Sequence, residues 1–511
     1  MAKPTINPRK TTRIPLVGTS YSRPIKHSGS PLYQALLDQQ FINCWFKKIT
    51  NPLTNKEQVW VYKRPGFESS TSVPNALTFF TAMLDAQGTY SLYENTSNDL
   101  MIIYLAGTVK QTIAATNVTG TSQITPCIPA EDQIGYAFWF DDNGTRKAYI
   151  YNHSTDTPVE ITDADFPDNG LAGSAIGEMT GNFVYKNGRL FIMTGTNGRI
   201  YNSDLAALTS WEATSYISVQ TQRDGATLAT YKDLIVAFGA DYIEFFEDVG
   251  NSVGSPLQRR DDLRIQDYGV IHGQSNEAVT PHYVYKAYDT VFWLNNSETN
   301  SGIGLYMLDN YKPVKISDSE FDNFLSDDFE ATFIGSFALF GQRYIYIANS
   351  DYYLIYDIDL KISTIWNPTL TGQCGMLLNG EFEGANSKVH IFTDTKRLDI
   401  SPAGLAYTDI GSAYTMSIRT GIIDFDTEKR KRLHKLALIG LDSRSAASVN
   451  VSWSNDDYAN YSTVRTVDMN NQRTYLTNCG SFRRRSFKIE NSSDDPITLS
   501  DLEFEYSELT K

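Results

Sequence analysis

The feature that most constrains the fold is a short phrase that recurs seven times between Asn98 and Arg397. Each copy has a β-branched or aromatic strand, a tight turn and a second strand that usually carries tyrosine. Turns such as Asn-Gly and Asp-Asn-Gly supply residues that tolerate positive φ, as hairpins require. A hairpin every ~40–50 residues is the spacing of propeller blades. The phrases begin at Asn98, Asp132, Gly188, Lys232, Asp289, Gly341 and Ser387.

The chain is therefore predicted to be all-β, with a β-propeller of six or seven blades. An irregular β-sandwich is the alternative, because the intervals vary and no blade signature such as Trp-Asp recurs. Two short stretches, Pro31–Gln40 and Ser317–Leu325, have helical spacing. The aromatic residues of the phrases are assigned to the core: Phe138, Phe191, Phe238, Trp293 and Tyr346.

Charge divides the 511 residues into three segments. Residues 1–64 carry a net charge of +9, residues 65–413 carry −24, and residues 414–511 are neutral. The composition also changes near Tyr414, where strands of even spacing with Asx-rich turns begin. These shifts predict an extended basic N-terminal arm with a short helix at residues 1–60, an acidic β-propeller at 61–413 and a C-terminal β-sandwich at 414–511.

Basic clusters are candidate contacts with other molecules. For the arm, an acidic protein partner is favoured over nucleic acid, because no stacking aromatics are interleaved and the acidic propeller repels phosphate. In the third segment the clusters are interpreted as interface or solvated strand faces, with nucleic-acid contact as the alternative. The predicted interface residues are Arg13, Arg23, Lys26, Lys47, Lys48, Lys429, Arg430, Arg432, Arg483, Arg484 and Arg485.

No residue is predicted to be catalytic, cofactor-binding or metal-binding. The histidines lack metal-ligand spacing, and Asp163–Gly170 resembles a calcium loop but places Ser174 at the twelfth position. Ser452–Asp457 resembles the turn of a sialidase Asp-box, but the string occurs once. No apolar run is long enough for a membrane span or a signal peptide. The cysteines, expected to be buried apolar residues, are Cys44, Cys127, Cys374 and Cys479.

Several strings match, in the same order, the packaged-DNA stabilisation proteins, which form the tail hub or nozzle of short-tailed bacteriophages (podoviruses). Tyr231–Gly273 resembles the family's strand pair with its closing glycine segment, and Asp289–Leu325 resembles its following strands and short helix. Trp60–Phe67 resembles the family's entry to the repeats. TYLTNCGSFRRRSFKI and PITLSDLEFEY resemble its closing strands. Residues 1–40 depart from the family, because they are longer and more basic.

The resemblance implies a structural virion protein that is not an enzyme and takes no cofactor. A homo-hexamer would lie below the portal–adaptor ring, retain packaged DNA and form the conduit for genome ejection. The implied partners are the adaptor (head-to-tail connector), a tail needle or plug protein, tail spikes or fibres, and DNA that passes without specific binding. The implied location is the virion tail, after assembly in the host cytoplasm. A glycan-binding or glycan-cleaving tail propeller and an intracellular peptide-binding scaffold stay open.

Overall fold

The computed structural model divides the chain into two compact units. The sandwich unit comprises Met1–Glu68, Tyr352–Thr371 and Ala403–Lys511, and the propeller unit comprises Ser69–Asp351 and Gly372–Pro402. The predicted division at residues 60 and 413 stays a prediction. The structure describes residues 8–17, 39–50, 57–74, 76–85, 88–104, 107–167, 178–220, 223–251, 253–270, 280–297, 302–317, 321–322, 325, 333–349, 351–369, 376–383, 386–394, 396–400, 406–440, 447–470 and 474–509.

The propeller unit is built from antiparallel blades of four or five strands. Blade 1 comprises β6 (Ala76–Asp85), β7 (Gly88–Asn95), β8 (Leu100–Tyr104) and β9 (Thr108–Ile113). Blade 2 comprises β10 (Val118–Thr121), β11 (Thr125–Cys127), β12 (Gly135–Asp142), β13 (Thr145–Asn152) and β14 (Thr157–Glu160). Blade 3 comprises β15 (Met179–Lys186), β16 (Arg189–Thr194), β17 (Arg199–Asp204) and β18 (Ala207–Ser218).

The remaining blades complete the ring. Blade 4 comprises β19 (Gly225–Tyr231), β20 (Leu234–Gly239), β21 (Tyr242–Asp248), β22 (Leu257–Arg259) and β23 (Ile265–Gln266). Blade 5 comprises β24 (Val284–Ala287), β25 (Thr290–Ser297), β26 (Gly302–Asp309) and β27 (Lys312–Lys315), and the hairpin β28 (Phe333–Leu339) and β29 (Gln342–Ala348) follows it. Blade 6 comprises β32 (Met376–Glu383), β33 (Asn386–Phe392), β34 (Lys396–Ile400) and β5 (Glu68–Ser72). The earliest strand of the propeller thus closes its last blade.

Neighbouring blades are joined through their innermost strands. β11 packs on β15, β15 on β19, β19 on β24, β24 on β28, β28 on β32 and β32 on β6. Between blades 2 and 3, the indole N–H of Trp139 donates to the carbonyl of Gly181 at 2.7 Å. Between blades 3 and 4, the amide of Asn182 donates to Oγ1 of Thr227 at 2.9 Å. This ring of inner strands confirms the predicted β-propeller, with six complete blades and the hairpin β28–β29 between blades 5 and 6.

The recurring phrases match particular strands of the blades. Five phrases each contain the two central strands of a blade, namely those that begin at Asp132, Gly188, Lys232, Asp289 and Ser387. The phrase from Asn98 contains β8 and β9, and the phrase from Gly341 contains β29. Central strands are covered on both faces by the neighbouring blades, so they need uninterrupted apolar runs. The predicted core aromatics are confirmed, because all of Phe138, Phe191, Phe238, Trp293 and Tyr346 are buried.

Of the two predicted helices, Pro31–Gln40 lies almost wholly outside the described residues, and Gln40 itself begins a strand. Within Ser317–Leu325 the described residues Phe321, Asp322 and Leu325 are helical. Short 3-10 helices occur at Thr196–Gly198, Asp261–Leu263 and Thr280–Tyr283.

The sandwich unit has two sheets that enclose one core. The first runs β3 (Cys44–Thr50), β4 (Glu57–Lys63), β44 (Thr498–Glu508), β38 (Lys431–Gly440) and β41 (Thr474–Thr477), with β1 (Lys10–Pro15) on β44 and β42 (Ser481–Phe482) on β38. The second includes β30 (Tyr353–Asp357), β31 (Ile362–Trp366), β2 (Gln40–Ile42), β37 (Met416–Arg419), β43 (Ser486–Asn491), β39 (Ser448–Ser454) and β40 (Arg465–Asp468). A short hairpin adds β35 (Thr408–Asp409) and β36 (Ser412–Ala413).

Part of the segment predicted as an extended docking arm is built into the first sheet. β1 pairs with β44 from Lys10 opposite Tyr506 to Pro15 opposite Asp501. Ile14, Leu16 and Val17 belong to the sandwich core. The prediction of an arm rested on the charge count, which does not register these three apolar residues. Their burial stabilises β1 in the sheet.

A buried ion pair lies where the chain leaves the sandwich unit. The guanidinium of Arg64 donates to both carboxylate oxygens of Asp409 at 2.8 and 2.6 Å, and its Nε donates to Oδ1 of Asn43 at 2.9 Å. The same guanidinium lies 3.8 Å from the ring centre of Tyr414 and 4.5 Å from that of Phe67. Arg64 and Asp409 are fully buried. Because both charges are paired and hydrogen-bonded, the interior tolerates them.

The carboxylate of Asp409 also orders the backbone around it. It accepts hydrogen bonds from the amides of Phe67 at 3.2 Å and Thr369 at 3.0 Å. Gly66 is required between these groups, because a Cβ there would lie 2.0 Å from the carbonyl oxygen of Thr408. The family-like string Trp60–Phe67 therefore has a local structural reason for its Arg-Pro-Gly-Phe ending.

We expect Arg64→Leu to lower the free energy of unfolding of the sandwich unit by about 3–5 kcal/mol, because it leaves the Asp409 carboxylate buried and unpaired. The double variant Arg64→Leu/Asp409→Leu should lose less than Arg64→Leu alone. Denaturant unfolding followed by tryptophan fluorescence measures both. Arg9→Leu, at an exposed pair, should change the free energy of unfolding by no more than about 1 kcal/mol. A double variant as unstable as the sum of its single variants would contradict the expectation.

Candidate assembly surfaces

One end of the first sandwich sheet collects basic residues from distant parts of the sequence. β1 and β38 are both antiparallel to β44, so both begin where β44 ends. β42 pairs with the same start of β38 and places Arg483 beside it. We call this surface the basic end and define it by the exposed side chains of Arg9, Lys10, Lys429, Arg430, Arg432 and Arg483.

Three cations of the basic end are paired with carboxylates of β44. The Arg9 guanidinium lies 2.6 Å from Oε1 of Glu505. Lys10 and Lys429 both pair with Glu508, the latter at 3.3 Å. These two cations lower the pKa of the Glu508 carboxyl, with the hydrogen bond from Lys10 as the largest cause. All three pairs are exposed on the cationic side, so each adds little stability.

Three arginines make up the rest of the basic end. Within the described residues, the side chains of Arg430, Arg432 and Arg483 form no ion pair. Nearby, burial lowers the pKa of His434, and the charges of Arg9 and Arg432 lower it further against the opposing effect of Glu505. At His434, each of the two arginines thus has a larger effect on the pKa than Glu505 has.

The structure separates the other predicted interface residues from one another. Arg13 pairs with Asp501 at 2.6 Å further along β44. Lys47 and Lys48 are exposed on β3, the far strand of the sheet, where Lys48 pairs with Glu57 at 2.6 Å. Arg23 and Lys26 lie outside the described residues.

The Arg483–Arg485 cluster is divided between surface and core. Arg484 pairs with Asp457. Arg485 is 2% exposed, and its guanidinium lies 4.4 Å from the ring centre of Phe482. Burial lowers the pKa of Arg485 to about 10, so it stays charged at neutral pH. As a core residue, Arg485 cannot present its guanidinium to a neighbour, which corrects its assignment to an interface.

Sequence reasoning missed two further buried cations of the sandwich unit. Lys63 donates to Oδ1 of Asn491 at 3.2 Å, and burial with the neighbouring charge of Arg64 lowers its pKa to about 8. Lys431 donates to the carbonyls of Thr427 and Arg483. Burial also lowers the pKa of Lys431. Nothing in the sequence distinguishes Lys431 from its exposed neighbours except the alternation of the strand.

The axis of the propeller is filled by its own chain. The 3-10 helix Thr280–Tyr283 contacts inner strands β15, β19, β24 and β28, which belong to different positions around the ring. Nε2 of His282 donates to the carbonyl of Thr121 in blade 2 at 2.9 Å. The side-chain amide of Gln123 reaches the carbonyl of Val284 at 2.9 Å. A segment that contacts so many inner strands lies at the centre of the ring that they form.

His282 is held at that centre as a neutral imidazole. It is 7% exposed, and Nδ1 has no hydrogen-bond partner among the described residues. Burial lowers the pKa of His282 to about 4, and the hydrogen bond to Thr121 opposes this only in part.

Other sites considered from the sequence have structural roles. The carboxylate of Asp163 accepts the backbone amides of Asp165 at 3.0 Å and Trp211 at 3.1 Å, as a loop-ordering residue does. Asp456, in the Asp-box-like string, accepts hydrogen bonds from Ser454 and Asn460, which lower its pKa to about 2. Asn460 is the largest cause of that shift.

The predicted burial of cysteines is confirmed for Cys44, Cys127 and Cys479, which are free thiols, while Cys374 lies outside the described residues. Within the ranges given above, His, Cys, Asp and Glu side chains form no group of three or more that could hold a metal ion. No helix in the same residues is long and apolar enough to cross a membrane.

The comparison with protein families identifies the class of this fold. Residues 127–377, from the end of β11 to the start of β32, match the model described as "Phage_stabilise: Bacteriophage P22 Gp10, beta-propeller". The protein is thus a phage structural protein, which implies a place in the virion and assembly with other virion proteins. The matched part of the chain belongs to the phage DNA-stabilisation family, and the resemblance drawn from the sequence is confirmed.

Other comparisons add no functional information. No curated protein matches the chain. The extracellular domain of the one-component system BT4673 from B. thetaiotaomicron is 11% identical over 85% of this chain, with a TM-score of 0.40, and the chain spans 57% of that structure. The N-terminal domain of Nup159 is 10% identical over 70% of this chain and 98% of its own, with a TM-score of 0.35. Neither likeness carries an argument about this protein.

We expect the propeller to lose stability as the pH falls, because His282 is neutral in the fold and must accept a proton in the unfolded chain. The stabilisation is complete above the unfolded pKa of 6.5 and is lost towards the folded pKa of about 4. The loss is up to about 3 kcal/mol. The measurement is denaturant unfolding between these pH values for the wild type, His282→Gln and the control His153→Gln. Parallel pH profiles for the wild type and His282→Gln would refute the expectation.

Proposed function

We propose that the chain is a structural subunit of the tail hub, or nozzle, of a short-tailed bacteriophage. Six copies form a ring below the portal–adaptor ring, help to retain packaged DNA and form the conduit through which the genome leaves. The subunit has no enzymatic role and joins the virion tail after assembly in the host cytoplasm. The match of residues 127–377 to the phage stabilisation family supports this function.

The segment at the centre of the propeller is the observation that carries the proposal of a ring. Thr280–Tyr283 fills the centre of the blades, and His282 bonds to Thr121 across it. Because this segment lies on the propeller axis, the passage for DNA is proposed to lie outside the single propeller. A conduit then requires a space enclosed by several copies, which closed cyclic symmetry provides.

The charge of the chain suits such a conduit. Residues 65–413 carry a net charge of −24. Carboxylates on the wall of the conduit repel phosphate, so DNA slides past without contacts that would hold it. Part of the acidic excess is proposed to face the conduit for this reason.

The basic residues near the N-terminus are proposed to meet the adaptor: Arg13, Arg23, Lys26, Lys47 and Lys48. Lys47 and Lys48 serve best as probes, because they are exposed on β3. Deleting the N-terminal residues is a poorer probe, since it removes Ile14 and Leu16 from the core. The needle or plug protein and the spikes or fibres are proposed to bind other faces of the ring.

We expect the purified chain to add about six copies to a portal–adaptor complex, as measured by mass photometry. Lys47→Glu/Lys48→Glu should weaken this addition by about tenfold or more at low salt, because it reverses charges at the contact. The matched control Lys312→Glu/Lys396→Glu makes the same charge change at exposed positions of the propeller.

Two results would count against different parts of the proposal. No addition of the wild-type chain to the portal–adaptor complex would overturn the hub function. Normal addition of Lys47→Glu/Lys48→Glu would leave the hub function standing and remove these lysines from the adaptor contact.

A further inference from the structure

The basic end of the sandwich unit has more cationic groups than the described part of the chain neutralises. Arg430, Arg432 and Arg483 are exposed and form no ion pair among the described residues. Burial is the largest cause that lowers the pKa of His434, and Arg9 and Arg432 each lower this pKa by more than Glu505 raises it. Long exposed arginines with no internal partner are available to bind an external carboxylate in a bidentate manner.

The arrangement favours an acidic protein surface over a nucleic acid. Glu505 and Glu508 lie among the cations, held there by Arg9, Lys10 and Lys429. Nucleic-acid sites present continuous cationic tracks to the phosphate backbone. Here the fixed carboxylates would interrupt such a track and repel the phosphates beside them. An acidic protein surface can place its few carboxylates opposite the unpaired arginines alone.

The propeller unit of the same chain carries such a surface. Phe166 and Trp211 pack with their ring centres 4.9 Å apart, and the amide of Trp211 donates to Asp163. These contacts bring the loop after β14 against β18. We call the carboxylates around this contact the acidic rim: Glu160, Asp163, Asp165 and Glu212. Within the described residues none of them forms an ion pair, and all but the half-buried Asp163 are exposed.

Ring formation needs two different complementary surfaces on each subunit. A cyclic assembly larger than a dimer uses heterologous contacts, in which one patch of a copy meets another patch of the next. The basic end and the acidic rim are two such patches of opposite sign. We propose that the basic end binds the acidic rim of a second copy of this chain, and that this head-to-tail contact joins neighbouring subunits of the ring. The inference that this contact closes into a ring rests on the proposed function. The inference that the two patches bind each other does not.

The experiment measures self-association of the full chain by sedimentation velocity at about 0.05 M and about 0.5 M NaCl. We expect the wild-type chain to associate at low salt and to dissociate at high salt. Arg430→Glu/Arg432→Glu and Asp165→Lys/Glu212→Lys should each weaken association by about tenfold or more. An equal mixture of these two variants should associate as the wild type does, because each reversed patch then meets a reversed partner.

Two matched variants control for net charge. Lys312→Glu/Lys396→Glu makes the same charge change as the basic-end variant at exposed positions of the propeller, and Asp224→Lys/Asp233→Lys makes the same charge change as the acidic-rim variant at exposed positions of blade 4. Both should associate as the wild type does. A short DNA duplex is added to the wild type and to Arg430→Glu/Arg432→Glu as the test of the competing ligand.

Three results would overturn the contact between copies. The wild-type chain could be monomeric at both salt concentrations, both patch variants could associate as strongly as the wild type, or the mixture of the two variants could fail to recover association. DNA binding that Arg430→Glu/Arg432→Glu abolishes, with unchanged self-association, would reassign the basic end to nucleic acid. Salt-dependent association without addition to the portal–adaptor complex would support the contact while the hub function fails. Addition of six copies of Arg430→Glu/Arg432→Glu to that complex would support the hub while the contact fails.

Discussion

The buried pair of Arg64 and Asp409 is the interaction on which the layout of the sandwich unit depends. The chain crosses four times between its two compact units, and the pair organises residues near three of these crossings. Phe67 and Thr369 each precede a crossing, and Asp409 follows the one at Ala403. An apolar pair could fill the same volume, but it could not bind the amides of Phe67 and Thr369 together with the side chain of Asn43. We attribute the charged pair to this demand for directional bonds, because a buried ion pair is weak evidence for stability by itself.

The same unit shows how strand direction can create a surface that no local sequence contains. Arg9 and Arg432 are far apart in the chain, yet both stand at strand starts that adjoin the end of β44. The acidic alternation of β44 neutralises some of these cations and leaves others exposed. A count of charge by segment detects the excess but cannot divide it into paired and unpaired groups, which decide what the surface can bind.

The sequence predicted the fold more completely than the candidate surfaces, for physical reasons. The central strands of blades are apolar on both faces and end in turns with positive φ, such as Asn143 and Asn187, so they are visible in a local window. Closure of blade 6 by β5 depends on a pairing between Glu68–Ser72 and Lys396–Ile400, which no local pattern reveals. Arg485 shows the same limit for surfaces, because only the contacts with Phe482 and Trp453 distinguish it from the exposed Arg483.

The segment at the propeller centre and the net charge of the repeat region together constrain how such a chain can act on DNA. Thr280–Tyr283 occupies the centre of the propeller, and residues 65–413 carry a net charge of −24. An acidic surface does not hold DNA, but it can bound a space through which DNA moves. Repulsion between acidic subunits would oppose their assembly, so each subunit needs a cationic surface at its contact with a neighbour. The unpaired arginines at the end of β44 meet that requirement without weakening the internal ion pairs beside them.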